Sequence, residues 1–589
     1  MRKRLTSVLA LLICVCLLCA CGNEATISGR LNRLGNTASS LLQKLGQDEA
    51  ADDLPRFEDI EYTRPDLEEL KNKTQAVVTA LEGKLSFSKL TALLDECYEI
   101  YYNYDTMYAI ADIRSCQDLT DSFYAQEFSW CGDNYYLVQQ YMEEMFRACA
   151  ASVHGERLER DYFWEGFCSE YAEDSQSYYY DDAVKLMQQE NELIARYRNL
   201  TAAATVEIDG KVYDYDEYIV SLEGEEYNRV MDLYYSQHNQ EYADIYIELV
   251  DVRNRLAEEL GYDSYEQFRF SYNFEREYSP QQAAAYYEDV KEYIVPVYKQ
   301  VIGSERYASI HYDYLGEEEL FITVQTAMQA MGGDIADSFE FMSDYGLYDV
   351  SQSSKKAAIS FQTYLSNYDA PFLFISPLAD TEDILTFAHE FGHYVDAHIN
   401  YNAYETIDLS ECYSQAMEYL LLFYLDGALS DAEIENLFNM KMFDTLDLYV
   451  QQCSFAEFES RVYAMGADGL SAQVLNELSL QLSKDYGYYE EGWDNYYALT
   501  WIDIPHFFES PFYVVSYPVS NDIALQIYEL EEERHGAGVE MLCAMIPRQY
   551  EGLMDTALSA GLESPFAPGR VQKIAEDVCR VFELDAKNT

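Results

Sequence analysis

His389-Glu390-Phe391-Gly392-His393 sets two imidazoles and one carboxylate at the spacing that metal-assisted hydrolysis of a peptide bond requires. Residues four apart on a helix share a face with Cβ atoms roughly 5–6 Å apart, so His389 and His393 can bind one ion together. Glu390 adjoins His389 and can reach a water held by that ion. Zinc lowers the pKa of such a water from about 15.7 to about 7, and a carboxylate then takes its proton as hydroxide attacks the carbonyl. With only eight histidines in 589 residues, a chance match to the pattern stands at roughly one in a hundred.

The flanking residues suit a helix. Asp380 and Thr381 can cap its start, Glu382 and Asp383 favour its positive end, and Ile384, Leu385 and Ala388 are ordinary helix interior. His398 lies five residues past His393, on another face, and reads as a polar residue near the helix end. A third protein ligand is needed, with the fourth position left open for water. Glu405, Asp408, Glu411 and Glu418 are the acidic candidates that follow. Residues 408–418 run into the apolar stretch Tyr419-Leu420-Leu421-Leu422-Phe423 and read as a second buried helix. Glu411, in its first turns, is the preferred ligand. Glu418 shares that face, with Ser414 and Gln415 between, and these three suit hydrogen bonds that orient the ligands. Glu405 reads as loop, and Cys412, one position round the helix from Glu411, packs away from the metal.

His389-Glu390-Phe391-Gly392-His393 followed by Glu411-x-x-Ser414-Gln415-x-x-Glu418 resembles the thimet oligopeptidase and oligoendopeptidase F family of zinc metallopeptidases. The resemblance implies His389, His393 and Glu411 as ligands of one zinc ion and Glu390 as general base. Further on, Pro505-His506-Phe507-Phe508-Glu509-Ser510-Pro511-Phe512-Tyr513-Val514-Val515-Ser516-Tyr517 resembles the family's His-and-Tyr segment. That likeness implies His506 for the substrate backbone, and Tyr513, with Tyr517 one turn further, as donors to the oxyanion. The choice between the two tyrosines stays open in a chain with 56 of them.

The same resemblance implies a mainly α fold in which two helical lobes enclose a deep channel that admits short peptides. Zincin-type active-site helices would lie beside a small β-sheet. It spans roughly residues 200–585 and points to an oligoendopeptidase. Two other readings stay open: an exopeptidase of dipeptidase type in the same superfamily, and an inactive peptide-binding lipoprotein.

Two short β-prone stretches stand out. Residues 357–365 and 371–375 read as a hairpin just before the zinc helix, and Thr205–Tyr213, with its Asp209-Gly210 turn, reads as another. Helical periodicity recurs in Leu67–Leu81, Tyr135–Ala150, Asp181–Leu200, Tyr227–Leu260 and Pro280–Val301. The expected organisation is a signal segment over 1–20, a tether or first helix over 21–55, an N-terminal helical domain over 56–204 and a catalytic domain over 205–589.

Arg2, Lys3 and Arg4 precede an apolar stretch, Leu9 to Leu18, that is too short for a comfortable membrane span. Leu18-Cys19-Ala20-Cys21-Gly22 resembles a bacterial lipobox, which implies cleavage before Cys21, lipid on its thiol, and an extracytoplasmic protein anchored to the cell membrane. An ordinary cleaved signal peptide is the alternative. Loss of residues 1–20 removes three positive charges and takes the formal net charge from −66 to −69. Such a field excludes nucleic acid, whose binding needs basic patches. Nine cysteines remain after Cys21, with no metal-finger spacing and room for one or two disulfides in the N-terminal half.

Overall fold

The computed structural model describes residues 54–584, apart from residues 84, 165, 173–177, 223, 402–404 and 547–551. The signal segment, Cys21 and all but the last two residues of the expected tether lie outside the described residues. The rest is mainly helical, with one hairpin and one three-stranded sheet.

Helices α1 (Leu67–Leu81), α2 (Phe87–Gln117) and α3 (Ser122–Ala151) open the described chain. Asp66 caps α1 by accepting the backbone N–H groups of Glu68 and Glu69. Leu70, Leu94, Met142 and Phe146 are among the side chains that close a small apolar core between these helices. Helix α4 (Asp181–Ala202) contributes its buried face to the larger core instead. Next comes the expected hairpin, β1 (Thr205–Ile208) paired antiparallel with β2 (Lys211–Asp214). Asp209 and Gly210 both have positive φ, 53° and 78°, as a two-residue turn with the twist of its strands demands. The long helix α5 (Gly224–Glu259) follows.

The Pro280–Val301 periodicity resolves into two α-helical stretches joined by a π-helical turn, Val290–Ile294, with Pro296 at the start of the second. Proline lacks the N–H that the preceding turn would use, so the ladder widens there. The second expected hairpin is shorter than its sequence suggests. Only β4 (Phe361–Leu365) and β5 (Ala370–Ile375) pair, while residues 357–360 stay outside the strand. A third strand, β3 (Tyr348–Val350), runs parallel to β5 on its other side. Central position explains why every residue of β5 is buried: its two faces and both edges are covered.

Helices α6 (Asp383–Asn400), α7 (Ile407–Leu421) and α9 (Ser516–Glu533) pack on one another, with α7 in the middle and β5 against α6. The 35-residue helix α8 (Asp431–Met465) lies along them and starts with a capping box between Ser430 and Glu433. Helices buried on every side belong to a molecule's interior, and every residue of α6 from Asp383 to Ala397 except Thr386 is buried. The motif therefore sits at the centre of the larger core. No helix among the described residues is long and apolar enough to cross a membrane. All nine cysteines in the described residues are free thiols, so the disulfides allowed for the N-terminal half do not form; seven of the nine are buried.

Candidate active site

Helix α6 begins at Asp383, two residues later than a cap at Asp380 would place it. Asp383 turns its carboxylate back to accept the N–H groups of Leu378, Ala379 and Asp380, tying the incoming loop to the first turn. One turn into the motif, Gly392 meets α7. A Cβ built on Gly392 would lie 2.5 Å from Ser414 Cα and 2.8 Å from the Tyr413 carbonyl oxygen. The two backbones cross in contact at this point, and that crossing brings Glu411, one turn before Ser414, between the two histidines.

His389, His393 and Glu411 form one buried group whose candidate ligand atoms all lie within 4.8 Å of one another. Glu411 Oε2 is 3.5 Å from His389 Nε2 and 3.9 Å from His393 Nε2. Zinc ligands sit roughly 2.0–2.2 Å from the metal, so their donor atoms stand about 3–4 Å apart. Each histidine is held through its other nitrogen: His389 Nδ1 meets Glu418 Oε1 at 2.8 Å and His393 Nδ1 meets Ser410 Oγ at 3.0 Å. Both Nε2 atoms are thereby directed to the same point. His393 Nε2 is buried and makes no hydrogen bond. A buried nitrogen lone pair left without a donor is costly in a finished core, and a cation beside the Glu411 carboxylate would satisfy it. The donor set fits zinc.

Electrostatics agree with this arrangement. Burial works against a charge on His389, yet the bond to Glu418 and the charges of Glu418, Glu411 and Glu390 win and raise its pKa to about 9. Burial and the neighbouring His389 charge pull His393 well below the usual imidazole range. Burial raises Glu411, partly offset by His389 and by bonds from Tyr513 and Ser414. Burial also opposes ionisation of Glu418, but Lys441 and His389 outweigh it and hold that carboxyl below its ordinary value.

The second segment arrives from the far side of α7. His506 lies on the one-turn helix Pro505–Glu509, Tyr513 on the connection, and Tyr517 in the first turn of α9. All three are buried and cluster with ring centroids 5.3–5.9 Å apart. The Tyr513 hydroxyl donates to Glu411 Oε1 at 2.5 Å. The Tyr517 hydroxyl pairs with His506 Nε2 at 3.4 Å, and burial lowers His506 to about 4, so its ring is neutral. Ser414 Oγ also reaches Glu411 Oε2, at 3.2 Å. Gln415 acts elsewhere: its amide donates to the Tyr517 carbonyl and accepts from Asn521, tying α7 to α9. His398 is no ligand; it pairs with Ser338 and stacks on Phe341. Cys412 is buried outside the group.

Sequence reasoning did not find the groups that hold this segment. Three buried arginines donate to its carbonyl oxygens: Arg253 to Phe507 and Phe508, Arg269 to Pro511, and Arg276 to Phe512 and Tyr513. Both oxygens of Glu459 accept the Phe512 N–H, at 2.9 and 3.0 Å. They come from α5, α8 and the stretch between 269 and 276, and their only sequence signal is charge among apolar and aromatic neighbours.

The description Peptidase M3 N-terminal domain matches residues 57–167, and Peptidase family M3 matches residues 338–540, which contain His389, Glu390, His393, Glu411, His506, Tyr513 and Tyr517. Together the two matches cover more than half of the chain. The chain belongs to peptidase family M3. It is a metallopeptidase, and the His-His-Glu group is its candidate metal centre. No curated protein sequence matches this M3 chain. Solved structures share its fold. PZ peptidase A with an inhibitor aligns with a TM-score of 0.77 at 20% identity, covering 91% of this chain and 100% of that one. A Bacillus anthracis str. Ames protein proposed to be an oligoendopeptidase F gives 0.74 at 23% identity, over 90% and 99% of the two chains. An Enterococcus faecium oligoendopeptidase F gives 0.55 at 14% identity, over 88% and 97%.

Proposed function

We propose that this M3 peptidase is a zinc-dependent oligoendopeptidase that cuts short peptides, held at the outer face of a bacterial membrane by lipid on Cys21. The observation that carries the catalytic part is the unbonded His393 Nε2 beside the Glu411 carboxylate, with His389 aimed at the same point. His389, His393 and Glu411 would hold the ion. Zinc, when bound there, supplies Lewis acidity: it makes water a nucleophile near neutral pH and polarises the scissile carbonyl.

The remaining work falls to the chain's own groups. Glu390, buried next to His389, takes the proton of the attacking water on its carboxylate and returns it to the leaving amine. Tyr513 keeps Glu411 in place through its hydroxyl. His506, neutral by burial, and Tyr517 stand together on the other side of the site and supply donors to the carbonyl oxygen as it gains charge. Burial of all these groups excludes bulk water, which strengthens each polar contact.

Glu390→Gln keeps the shape of the site and removes the base. The variant is expected to retain one zinc per chain and to lose about 10²–10⁴-fold in kcat, measured on an internally quenched peptide alongside metal content. Wild-type turnover with zinc bound would overturn the mechanism. For the anchor, Cys21→Ala should move the protein from the membrane fraction to the soluble fraction of cells; unchanged fractionation would overturn that part alone.

A further inference from the structure

Helix α4 falls in the stretch that the sequence assigns to the N-terminal helical domain, yet it grips the one-turn helix Pro505–Glu509, which carries His506, at three points. Tyr197 stacks on Phe508, with ring centroids 3.9 Å apart and planes 6° from parallel. Glu190 accepts from Arg253 Nε at 2.6 Å, and the same guanidinium donates to the carbonyl oxygens of Phe507 and Phe508. Arg198 Nη2 donates to Glu509 Oε2 at 2.7 Å.

The first two contacts hold the short helix itself: Tyr197, Phe508 and Arg253 are buried, and the bonds of Arg253 end on backbone carbonyls. The third differs in kind. The Arg198 side chain is 41% exposed and that of Glu509 17%, and an ion pair open to solvent adds little to stability. Its effect is on charge. Glu509 stands one turn after His506, and its carboxylate is the group whose pull on the His506 ring opposes burial. Arg198 sets a cation against that carboxylate. Asp112 of α2 acts on the same guanidinium, so two carboxylates share it. A cation shared in this way offers no net positive charge to a substrate carboxylate, which leaves the hold on Glu509 as its work.

We infer that Arg198 is a positioning residue for His506: by holding Glu509 it keeps that carboxylate off the imidazole and the imidazole on the Tyr517 hydroxyl. The inference rests on the oligoendopeptidase reading above. Without the guanidinium, a carboxylate one turn away in a site that excludes bulk water draws a proton onto the imidazole or accepts a hydrogen bond from it. Either change turns His506 from Tyr517 and from the carbonyl oxygen that the two are to meet.

The test measures kcat, KM, zinc content and unfolding midpoint for the zinc-loaded full-length protein on a panel of internally quenched peptides. Arg198→Met should lose about tenfold or more in kcat, with KM and zinc content within about twofold of wild type. Adding Glu509→Gln removes the carboxylate that Arg198 restrains, so the double variant should recover most of that loss. Arg198→Lys keeps the charge without the planar fork and should recover part of it. Wild-type kcat in Arg198→Met overturns the inference, and so does a double variant no faster than Arg198→Met. A loss of rate that comes with lost zinc or a lower unfolding midpoint assigns Arg198 to the fold and overturns it too. A wild-type protein that cuts none of the panel overturns the peptidase reading, and the role with it.

Discussion

Lys441 Nζ lies 2.6 Å from Glu418 Oε2, and the other oxygen of that carboxylate meets His389 Nδ1 at 2.8 Å. All three groups are buried, and the lysine also sits over the Tyr419 ring. The chain of contacts fixes His389 with Nδ1 as donor and Nε2 toward Glu411. Partners of this kind raise ligand basicity, and their loss costs about 10–100-fold in metal affinity. Lys441→Met removes the cation that keeps Glu418 ionised in a dry site. It should weaken zinc binding by that factor, measured by competition with a chelator of known affinity. Unchanged affinity would show that Glu418 orients His389 without help.

Gly392 makes a second prediction. An added methyl group at this position would overlap the backbone of Ser414, which cannot yield as a flexible side chain could. Gly392→Ala must therefore separate α6 from α7, and the same movement carries Glu411 away from His389 and His393. Overpacking of this kind costs about 1–3 kcal/mol. The expected result is a lower unfolding midpoint in the metal-free protein together with weaker zinc binding. Stability lost without any loss of zinc would mean that α7 slides rather than lifts.

The legible part of this molecule is the part with local signals. His389 and His393 announce themselves by helical spacing, Glu411 and Glu418 by the helix that follows, and the Asp209-Gly210 hairpin by a turn with one conformational solution. Ser410, Lys441, Arg253, Arg269, Arg276 and Glu459 were invisible because nothing local distinguishes them. Each becomes functional only when α5, α7, α8 or the stretch between 269 and 276 brings it against a partner distant in sequence. Tyr513 lies between these cases: its segment was readable, yet its bond to Glu411 depends on how α7 and α9 meet. β3 was missed because three residues carry too little pattern to show as a strand.

Arg276 and Glu459 grip opposite sides of one residue, Phe512, whose φ of +64° is unusual for a bulky side chain. A backbone held in that region costs about 1–3 kcal/mol and persists only where its surroundings impose it. Arg276 also donates to Ser516 Oγ at 2.8 Å, so one guanidinium spans the whole connection between Tyr513 and Tyr517. Without it the connection should relax and shift both hydroxyls. Misplacement by about 1 Å costs on the order of 10²-fold in rate. Arg276→Met is expected to lose kcat on that scale with KM and zinc content little changed, and Arg276→Lys to recover part of it. A rise in KM along with the fall in kcat, and lost zinc, would instead mark general unfolding of the site.

His398 gives a pH prediction outside the metal group. Burial lowers its pKa to about 4, against the opposing pull of Asp337 and Asp334, and its ring is stacked on Phe341 with Nδ1 at Ser338. In the unfolded chain the same imidazole titrates near about 6.5. Between those values the unfolded state binds a proton that the native state refuses, so this residue's contribution is intact above pH 6.5 and drains away as pH falls toward 4. The slope is at most about 1.4 kcal/mol per pH unit. His398→Gln loses the ring stacking at every pH but has no proton to take up. Urea midpoints measured at pH 7.5, 6 and 5 should therefore show the wild-type advantage over the variant shrinking as the solution is acidified. An advantage that stays constant, or grows, would mean that the imidazole is protonated in the native state and paired with Asp334 or Asp337.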